Sequence, residues 1–229
     1  FSEWSDYWNK LATSAAGQAI PDLVQMDYSF IDQYVKNGLL VDLKPYMEDG
    51  TLDVSNISDN TIASGTVNDG VYAICAGINA PSLLYNKTLL EENGIEIKDY
   101  MTTDEFLDVC RQVYEKTGYK TNIAYYNAGA YLDYFMRSYD IVLYGDKKMG
   151  GTANDYLPFF QMYETGIKEG WFIDPGVFAE LSIGSVEQEP LVYGSGPETM
   201  SWCAFYNSNQ LTAIQKAAPE GMEIGITTW

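Results

Sequence analysis

The chain contains no histidine among its 229 residues. This absence removes the commonest general base of enzymes and the commonest protein ligand of zinc. Cysteine is also rare: Cys75, Cys110 and Cys203 lie far apart and form no CxxC pair. Isolated cysteines in apolar runs usually behave as small buried hydrophobic residues. The sequence therefore predicts no metal site and no cofactor.

Basic residues are scarce as well, with 13 Lys and Arg against 32 Asp and Glu and a net charge of −19. A nucleic-acid surface needs clustered Lys and Arg, and an anionic membrane surface attracts the same residues. We therefore expect neither nucleic acid nor an anionic membrane surface as a partner. The negative charge mainly keeps the protein soluble. No run approaches the ~20 apolar residues of a membrane span.

What the chain does have is a hydrophobic content of 46%, enough for a substantial core in one or two domains. Apolar spacing and cap residues predict alternating helices and strands, which indicates an α/β fold. Thr102 and Glu105 have the spacing of a capping box. The predicted helices cover residues 5–16, 30–37, 87–93, 102–117, 130–139, 153–169 and 207–217, and the predicted strands cover residues 23–26, 71–76, 82–85, 121–126, 199–204 and 224–229.

The stretch from Gly70 to Leu90 carries the most information about organisation. Asn68-Asp69-Gly70 predicts a tight hairpin turn before the first strand. Residues 77–80 then separate this strand from a second one, and Asn86 is a good N-cap for the helix that follows. A strand that crosses between two packed units places its crossing residues at a cleft, where ligands bind.

Aromatic residues are abundant, with 19 Tyr, 9 Phe and 5 Trp. Tyr and Trp combine an apolar face with a polar edge, which suits sugar rings. Aromatics on helix stripes are assigned to the core: Trp8, Phe106, Tyr114 and Tyr163. Aromatics near strand ends are candidates for ligand contact: Tyr28, Tyr125, Tyr126 and Trp202. Trp4 precedes a helix and is either a ligand contact or a hydrophobic staple.

Three polar residues follow predicted strands and are further candidates for the site. Asp27 ends the strand 23–26 and faces the next helix, so it either caps that helix or accepts hydrogen bonds from ligand hydroxyls. Asn79 and Asn127 also follow predicted strands. An amide both donates and accepts hydrogen bonds, as binding of a polyol requires.

An enzyme acting on glycosides is the main alternative to a binding protein. It needs two facing carboxylates ~5–10 Å apart, for which Asp27 with Glu198 or Asp133 are the candidates. Nothing in the sequence brings these residues together. Gly194-Ser195-Gly196 lacks the five-residue nucleophile elbow, and there is no histidine to serve it. We therefore predict that the chain is not an enzyme.

Five segments, in order along the chain, resemble a known family. They are WSDYWNKLATSAAGQAIPDLVQMD (4–27), YVKNGLLVDLKPYM (34–47), YAICAGINAPSLLYNKTLLEENGI (72–95), TTDEFLDVC (102–110) and MSWCAFYNSNQL (200–211). These segments are similar to the extracellular solute-binding proteins (family 1) of ABC importers, the group that contains maltose-binding protein.

The resemblance implies a two-lobed α/β fold of the periplasmic-binding-protein type (type II), with lobes joined by crossing hinge strands. It assigns residues 1–78 to an incomplete first lobe, 79–223 to the second lobe and 224–229 to a second hinge strand. Such proteins close on their ligand by hinge motion. The chain resembles a part of a longer protein, truncated at both ends.

The resemblance also implies roles for individual residues. Asp27 and Tyr28 match a sugar-contacting strand end in the first lobe, and Asn79 matches the first crossing. Tyr28 and Asn79 stand where the maltodextrin binder has a basic residue and a carboxylate, so the ligand is expected to differ. Tyr126, Asn127 and Trp202 match second-lobe ligand positions, Trp202 as the stacking residue. Which of Asn207 and Asn209 faces the cleft is left open.

By the same resemblance, the protein is expected to be the extracytoplasmic substrate-binding component of an ABC importer. Its partners would be a sugar or oligosaccharide and the permease subunits in the membrane. We expect a monomer, lipid-anchored to the outer face of the cytoplasmic membrane through a segment outside this chain. A sensor or adhesion module with the same cleft is a second alternative, with a protein partner in place of the permease.

Overall fold

The structure is a computed structural model that describes residues 4–122, 128–145, 147–182 and 185–228. The chain divides into two compact units, Phe1–Ile78 and Asn79–Trp229. Among the described residues, no helix combines the length and apolar character that a membrane crossing requires.

Unit 1, residues 1–78, is built mainly from helices. Its elements are α1 (Trp4–Ala16), α2 (Tyr28–Lys36), α3 (Lys44–Glu48), α4 (Asp59–Ala63), β1 (Thr66–Val67) and β2 (Gly70–Val71). A small core of Trp8, Leu11 and Tyr34 joins α1 to α2. The Trp8 ring stacks on Phe30 with centroids 4.1 Å apart. The aromatic spacing of α1 therefore predicted its buried face correctly.

The short hairpin of unit 1 confirms the turn that the sequence predicted. β1 and β2 pair antiparallel, with Val67 opposite Gly70. Asn68 adopts a left-handed φ of 52°, which Asn tolerates better than most residues. The strand predicted over 71–76, however, is limited to Gly70–Val71. The residues that follow have no paired strand among the described residues, and an apolar run forms a strand only where a neighbour pairs with it.

The strand predicted over 23–26 is wrong for the same reason. Residues 24–27 have no regular structure, and the Leu23 side chain is 91% exposed. The segment is held instead by the Tyr7 hydroxyl, which donates to the Gln25 carbonyl at 2.6 Å. The next helix begins at Tyr28 and not at Phe30, because Asp27 and not Ser29 is its N-cap.

Unit 2, residues 79–229, is organised around an antiparallel sheet of three strands. β3 (Pro81–Asn86) lies between β6 (Cys203–Asn207) and β7 (Ile224–Thr227). Leu83 and Leu84 are both fully buried although they point to opposite faces, so both faces of the sheet are covered. The strand predicted over 82–85 is therefore confirmed, and of the terminal strand predicted over 224–229 the part Ile224–Thr227 is confirmed, while Thr228 lies outside it.

The remaining elements of unit 2 surround this sheet. They are α5 (Lys87–Glu92), α6 (Thr103–Thr117), α7 (Ala128–Arg137), β4 (Tyr144–Gly145), β5 (Lys148–Met149), α8 (Ala153–Glu169), α9 (Leu211–Ala217) and 3₁₀ segments at 175–180, 186–188 and 208–210. Leu83 packs with α6, α7 and α8 in the larger core, whereas Leu84 packs with Leu191, Tyr206 and Ile214. Leu83 and Leu84, which are adjacent in β3, therefore belong to two different cores.

Gly225 on β7 is required by close packing against β3. A Cβ atom at this position would lie 2.2 Å from the Tyr85 ring, far inside a van der Waals contact. Tyr85 and Gly225 are directly opposite in the strand register. Because Gly225 has no side chain, the Tyr85 ring can pack directly against β7.

The capping box predicted at α6 is confirmed in both directions. Glu105 N donates to Thr102 Oγ1 at 3.2 Å, and Thr102 N donates to Glu105 Oε2 at 2.9 Å. The backbone N–H and the hydroxyl of Thr102 both donate to Glu105 Oε2, and these two bonds, followed by the Lys98 ammonium, lower the pKa of Glu105. Gly118 ends the helix in the left-handed conformation, with φ 75°.

We expect Thr102→Ala to lower the free energy of unfolding by about 1 kcal/mol, because the first turn of α6 loses its cap. Urea denaturation measures this effect. Thr103→Ala is the matched control, since Thr103 is the first residue of α6 and not its cap. Equal losses in the two variants would contradict a specific role for the cap.

Candidate functional site

The start of β3 and the end of β6 bring several polar residues to one edge of the unit 2 sheet. Pro81 pairs with Asn207 in the register. One residue earlier, Ala80 N donates to Ser208 Oγ at 3.1 Å, and Ser208 N donates to Ala80 O at 2.8 Å. The exposed Asn79 therefore lies beside Ser208. We call this group, Asn79 with residues 207–209, the Asn79 edge.

The two asparagines whose orientation the sequence left open differ in exposure. Asn207 is half-buried, and its backbone N–H donates to Gln210 Oε1 at 3.1 Å. Asn209 lies in the following 3₁₀ turn and is exposed. The Asn79 edge thus presents amides and a hydroxyl, the donor and acceptor groups that hydrogen-bond to polyols.

In unit 1, Asp27 and Tyr28 lie at the first turn of α2. Asp27 Oδ1 accepts hydrogen bonds from Ser29 N at 2.9 Å and from the Ser29 hydroxyl. The capping role considered for Asp27 is therefore confirmed, and within the described residues its hydrogen bonds use only Oδ1. Tyr28 is 77% exposed, so its ring is open to contact. Trp4 is the first residue of α1.

Trp202 does not lie where the sequence predicted. Its side chain is 0% exposed, and its Nε1 donates to Thr121 Oγ1 at 2.8 Å inside the larger core of unit 2. The Phe106 ring lies 6.1 Å away, centroid to centroid. A fully buried indole has no free face on which a sugar can stack, so this burial contradicts the stacking role. The strand begins at Cys203 and not at 199, so Trp202 precedes it and does not lie at its end.

Other predicted contacts fall outside the described residues. Tyr125, Tyr126 and Asn127 belong to the range 123–127, so their roles stay predictions. Of the predicted strand 121–126, the structure describes Thr121 and Asn122, and Thr121 forms an isolated parallel bridge with Phe172.

A buried polar cluster in unit 2 has no counterpart in the sequence analysis. The Glu189 side chain, in a residue that is 4% exposed, accepts from Asn122 Nδ2 at 2.7 Å and from the Tyr206 hydroxyl at 2.9 Å. Burial raises the pKa of Glu189 to about 7, against the opposing effect of these donors. We call Asn122, Glu189 and Tyr206 the Glu189 cluster. Its members come from three distant segments, so no spacing in the sequence could reveal it.

Two of the three cysteines are small buried residues, as the sequence predicted for all three. Cys110 and Cys203 are fully buried, and burial raises the pKa of the Cys110 thiol to about 12 and that of Cys203 well above its usual value. Cys75 is half-buried, and its thiol donates to the Gly77 carbonyl at 3.2 Å. Among the described residues, no three Cys, Asp or Glu side chains are grouped so as to hold a metal ion.

The carboxylates considered for a glycosidase pair have cations as neighbours. Asp133 Oδ2 accepts from Arg137 Nη2 at 2.5 Å on α7. Glu198 is exposed and lies 4.0 Å from the Lys120 ammonium. Neither carboxylate is buried, whereas the acid of a glycosidase lies in a buried apolar pocket.

Comparison with known proteins identifies the family of the chain. The model of the bacterial extracellular solute-binding proteins matches residues 1–171. The chain belongs to this family. Its fold is the mixed α/β fold of periplasmic solute-binding proteins, as the sequence predicted.

Solved structures of several such proteins are similar to the chain. One is the oligogalacturonide-binding protein of Yersinia enterocolitica in complex with saturated digalacturonic acid, which is 20% identical to this chain with a TM-score of 0.79. The match covers 99% of this chain and 56% of the Yersinia protein. UgpB of Mycobacterium tuberculosis, in complex with glycerophosphocholine, is 15% identical with a TM-score of 0.77 and coverages of 98% and 54%. A substrate-binding protein of Listeria monocytogenes, in complex with cycloalternan, is 15% identical with a TM-score of 0.73 and coverages of 97% and 56%. The chain thus spans about half the length of the solute-binding proteins that it matches.

The burial of Trp202 predicts that its replacement acts on stability. We expect Trp202→Phe to lower the free energy of unfolding by about 2–4 kcal/mol, because it leaves a cavity and removes the hydrogen bond to the Thr121 hydroxyl. Phe160→Ala on α8 is the control, since its side chain is 58% exposed, and we expect it to cost less than half as much. Chemical denaturation followed by circular dichroism measures both. A Trp202→Phe variant as stable as the wild type would contradict the core role.

Proposed function

We propose that this chain binds a neutral sugar or oligosaccharide as the extracytoplasmic substrate-binding component of an ABC importer. Units 1 and 2 are then the two lobes, and residues 224–229 return the chain towards the first lobe. The permease subunits receive the released ligand. The protein acts as a monomer, lipid-anchored to the outer face of the membrane, and performs no bond chemistry.

The observation that carries this proposal is the Asn79 edge. Asn79 is the first residue of unit 2, so the chain passes from one unit to the other at this exposed amide. Ser208 and Asn209 add a hydroxyl and a second exposed amide beside it. In a protein that closes on its ligand, residues at such a passage touch the ligand and favour the closed state by differential contacts.

Unit 1 offers a complementary set of groups at the first turn of α2. Tyr28 supplies an exposed aromatic face, and Asp27 keeps one carboxylate oxygen for ligand hydroxyls. Trp4 at the start of α1 is a second aromatic candidate, and Tyr126 and Asn127 are proposed to contribute from unit 2. Aromatic faces with amides and carboxylates at the rim are the chemistry that binds pyranose rings.

The charge of the chain favours a neutral ligand over an acidic one. A net charge of −19 creates a negative potential that repels uronates and phosphates. Solved relatives bind cycloalternan, digalacturonic acid and glycerophosphocholine, so both kinds of ligand occur on this fold. We therefore place this protein with the binders of uncharged oligosaccharides.

A thermal-shift screen of the full chain against neutral and acidic oligosaccharides tests the ligand class. At a hundred times the Kd, a true ligand raises the Tm by ~5–10 °C, because it binds only the folded state. We expect this rise for a neutral saccharide and none for galacturonides. Stabilisation by acidic sugars alone would overturn the ligand class, and hydrolysis of aryl-glycosides would overturn the binding-only role.

Removal of the Asn79 amide should weaken binding without unfolding the protein. We expect Asn79→Ala to lower the affinity for the best ligand of the screen about tenfold, which corresponds to one or two lost hydrogen bonds. Isothermal titration calorimetry measures the change. Asn154→Ala, an exposed asparagine in α8, is the matched control and should bind as the wild type does. An Asn79→Ala variant of unchanged affinity would remove this edge from the site.

Tyr28 provides an independent test of the contribution from unit 1. Tyr28→Ala should lower the affinity about tenfold through loss of stacking, whereas Tyr28→Phe keeps the ring and should retain most of it. The same calorimetric titration compares the two variants. Equal affinities for all three proteins would exclude the α2 terminus from the ligand contacts.

A further inference from the structure

Tyr100 is an exposed aromatic residue in a turn of unit 2. Its side chain is 87% exposed, the largest exposure of any aromatic side chain that the structure describes. Its backbone adopts a left-handed φ of 59°. Among the described residues, the ring has no aromatic contact and the hydroxyl has no hydrogen bond. The side chain therefore adds nothing to the described core.

The left-handed conformation is unfavourable for a residue of this size. A positive φ brings Cβ close to the backbone, so glycine adopts it readily and asparagine tolerates it better than tyrosine does. The other non-glycine residues with positive φ in the described part of the chain are all polar: Gln18, Asn68, Asp140 and Lys147. A strained residue whose side chain supports no packing points to a function for that side chain.

The turn that carries Tyr100 is attached to the end of β7. The backbone N–H of Tyr100 donates to the Thr228 carbonyl at 2.9 Å. The Thr227 hydroxyl lies 2.7 Å from Asp99 Oδ1. On the other side of Tyr100, Met101 is 4% exposed and belongs to the larger core of unit 2. The backbone that presents the ring is thus fixed on both sides.

Strand register places this turn at the same end of the sheet as the Asn79 edge. Thr227 pairs with Leu83 and β7 runs antiparallel to β3, so the end of β7 lies beside the start of β3. The end of β6, where the Asn79 edge is formed, lies on the other side of that start. Neighbouring strands are about 4.8 Å apart, so the backbone of the Tyr100 turn lies about 10 Å from β3.

We propose that Tyr100 is the aromatic contact of unit 2 for a neutral oligosaccharide that also binds the Asn79 edge. The inference rests on the proposed function and extends it, because the separation of the two contacts suits a ligand of two or more sugar rings. Tyr100 offers the stacking face that the buried Trp202 lacks. Asp99 beside it is exposed and uses Oδ1 in its described hydrogen bond, so it adds a carboxylate oxygen for ligand hydroxyls.

Calorimetric titration of the full chain with maltotriose, cellotriose, xylotriose and mannotriose, each compared with its monosaccharide, tests the contact. We expect Tyr100→Ala to lower the affinity for the trisaccharide that binds best about tenfold, and Tyr100→Phe to retain most of it. Binding of the monosaccharide should change much less, because one ring at Asn79 does not reach Tyr100. The matched control is Tyr144→Ala, since Tyr144 is 66% exposed on a hairpin outside the three-stranded sheet.

The variant Tyr100→Gly separates ligand contact from support of the fold. Glycine adopts the left-handed φ without strain, so we expect the Tm to rise by about 1–3 °C. The affinity for the trisaccharide should fall as it does in Tyr100→Ala. A residue that only supports the fold would lower both the Tm and the affinity when it is replaced.

Hydroxyl-radical footprinting of the wild type reports the contact directly. A bound trisaccharide should cover the Tyr100 ring and reduce its oxidation several-fold, while oxidation of Tyr144 should stay unchanged. Mass spectrometry of the digested protein measures both sites in one sample.

The outcomes distinguish this inference from the proposed function. Trisaccharide binding that Asn79→Ala weakens and Tyr100→Ala leaves unchanged would overturn the inference alone. So would unchanged oxidation of Tyr100 in the complex, or a lower Tm together with weaker binding in Tyr100→Gly. If the wild type binds none of the saccharides, the proposed function is overturned and the inference with it.

Discussion

The pairing of β3 with β6 on one side and β7 on the other is the constraint on which the rest of unit 2 depends. Because β3 is central, its Leu83 and Leu84 side chains lie in separate cores on the two faces of the sheet. The same register sets Pro81 opposite Asn207 and thereby brings Asn79 beside Ser208. Strand pairing therefore brings together the two segments, just before β3 and just after β6, that form the candidate ligand-binding edge.

Local signals of the sequence were reliable where they describe interactions between near neighbours. The capping box at Thr102, the N-cap at Asn86 and the turn at Asn68 each depend on atoms within a few residues, and each is present. The aromatic spacing of α1 likewise identified Trp8 as a core residue. These features can be predicted because the chain itself supplies both partners of each interaction.

Features that depend on distant partners could not be predicted in the same way. The apolar run 23–26 looked like a strand, but a strand exists only if another one pairs with it, and none of the described residues does. Trp202 looked like a ligand contact because the end of its strand was placed too early, and its burial depends on Thr121, 81 residues away. The Glu189 cluster joins residues 67 and 17 positions apart. For the candidate site, Asn79, Asp27 and Tyr28 are predictions from the sequence, and the packing decides which neighbours they have.

The central claim is the proposal that the Asn79 edge of unit 2 contacts a neutral saccharide. A crystal structure of the full chain with a saccharide from the screen tests this most directly. The account predicts ligand hydroxyls within hydrogen-bond distance of Asn79, with Trp202 still buried against Thr121. A ligand bound away from Asn79, or stacked on an exposed Trp202, would contradict it.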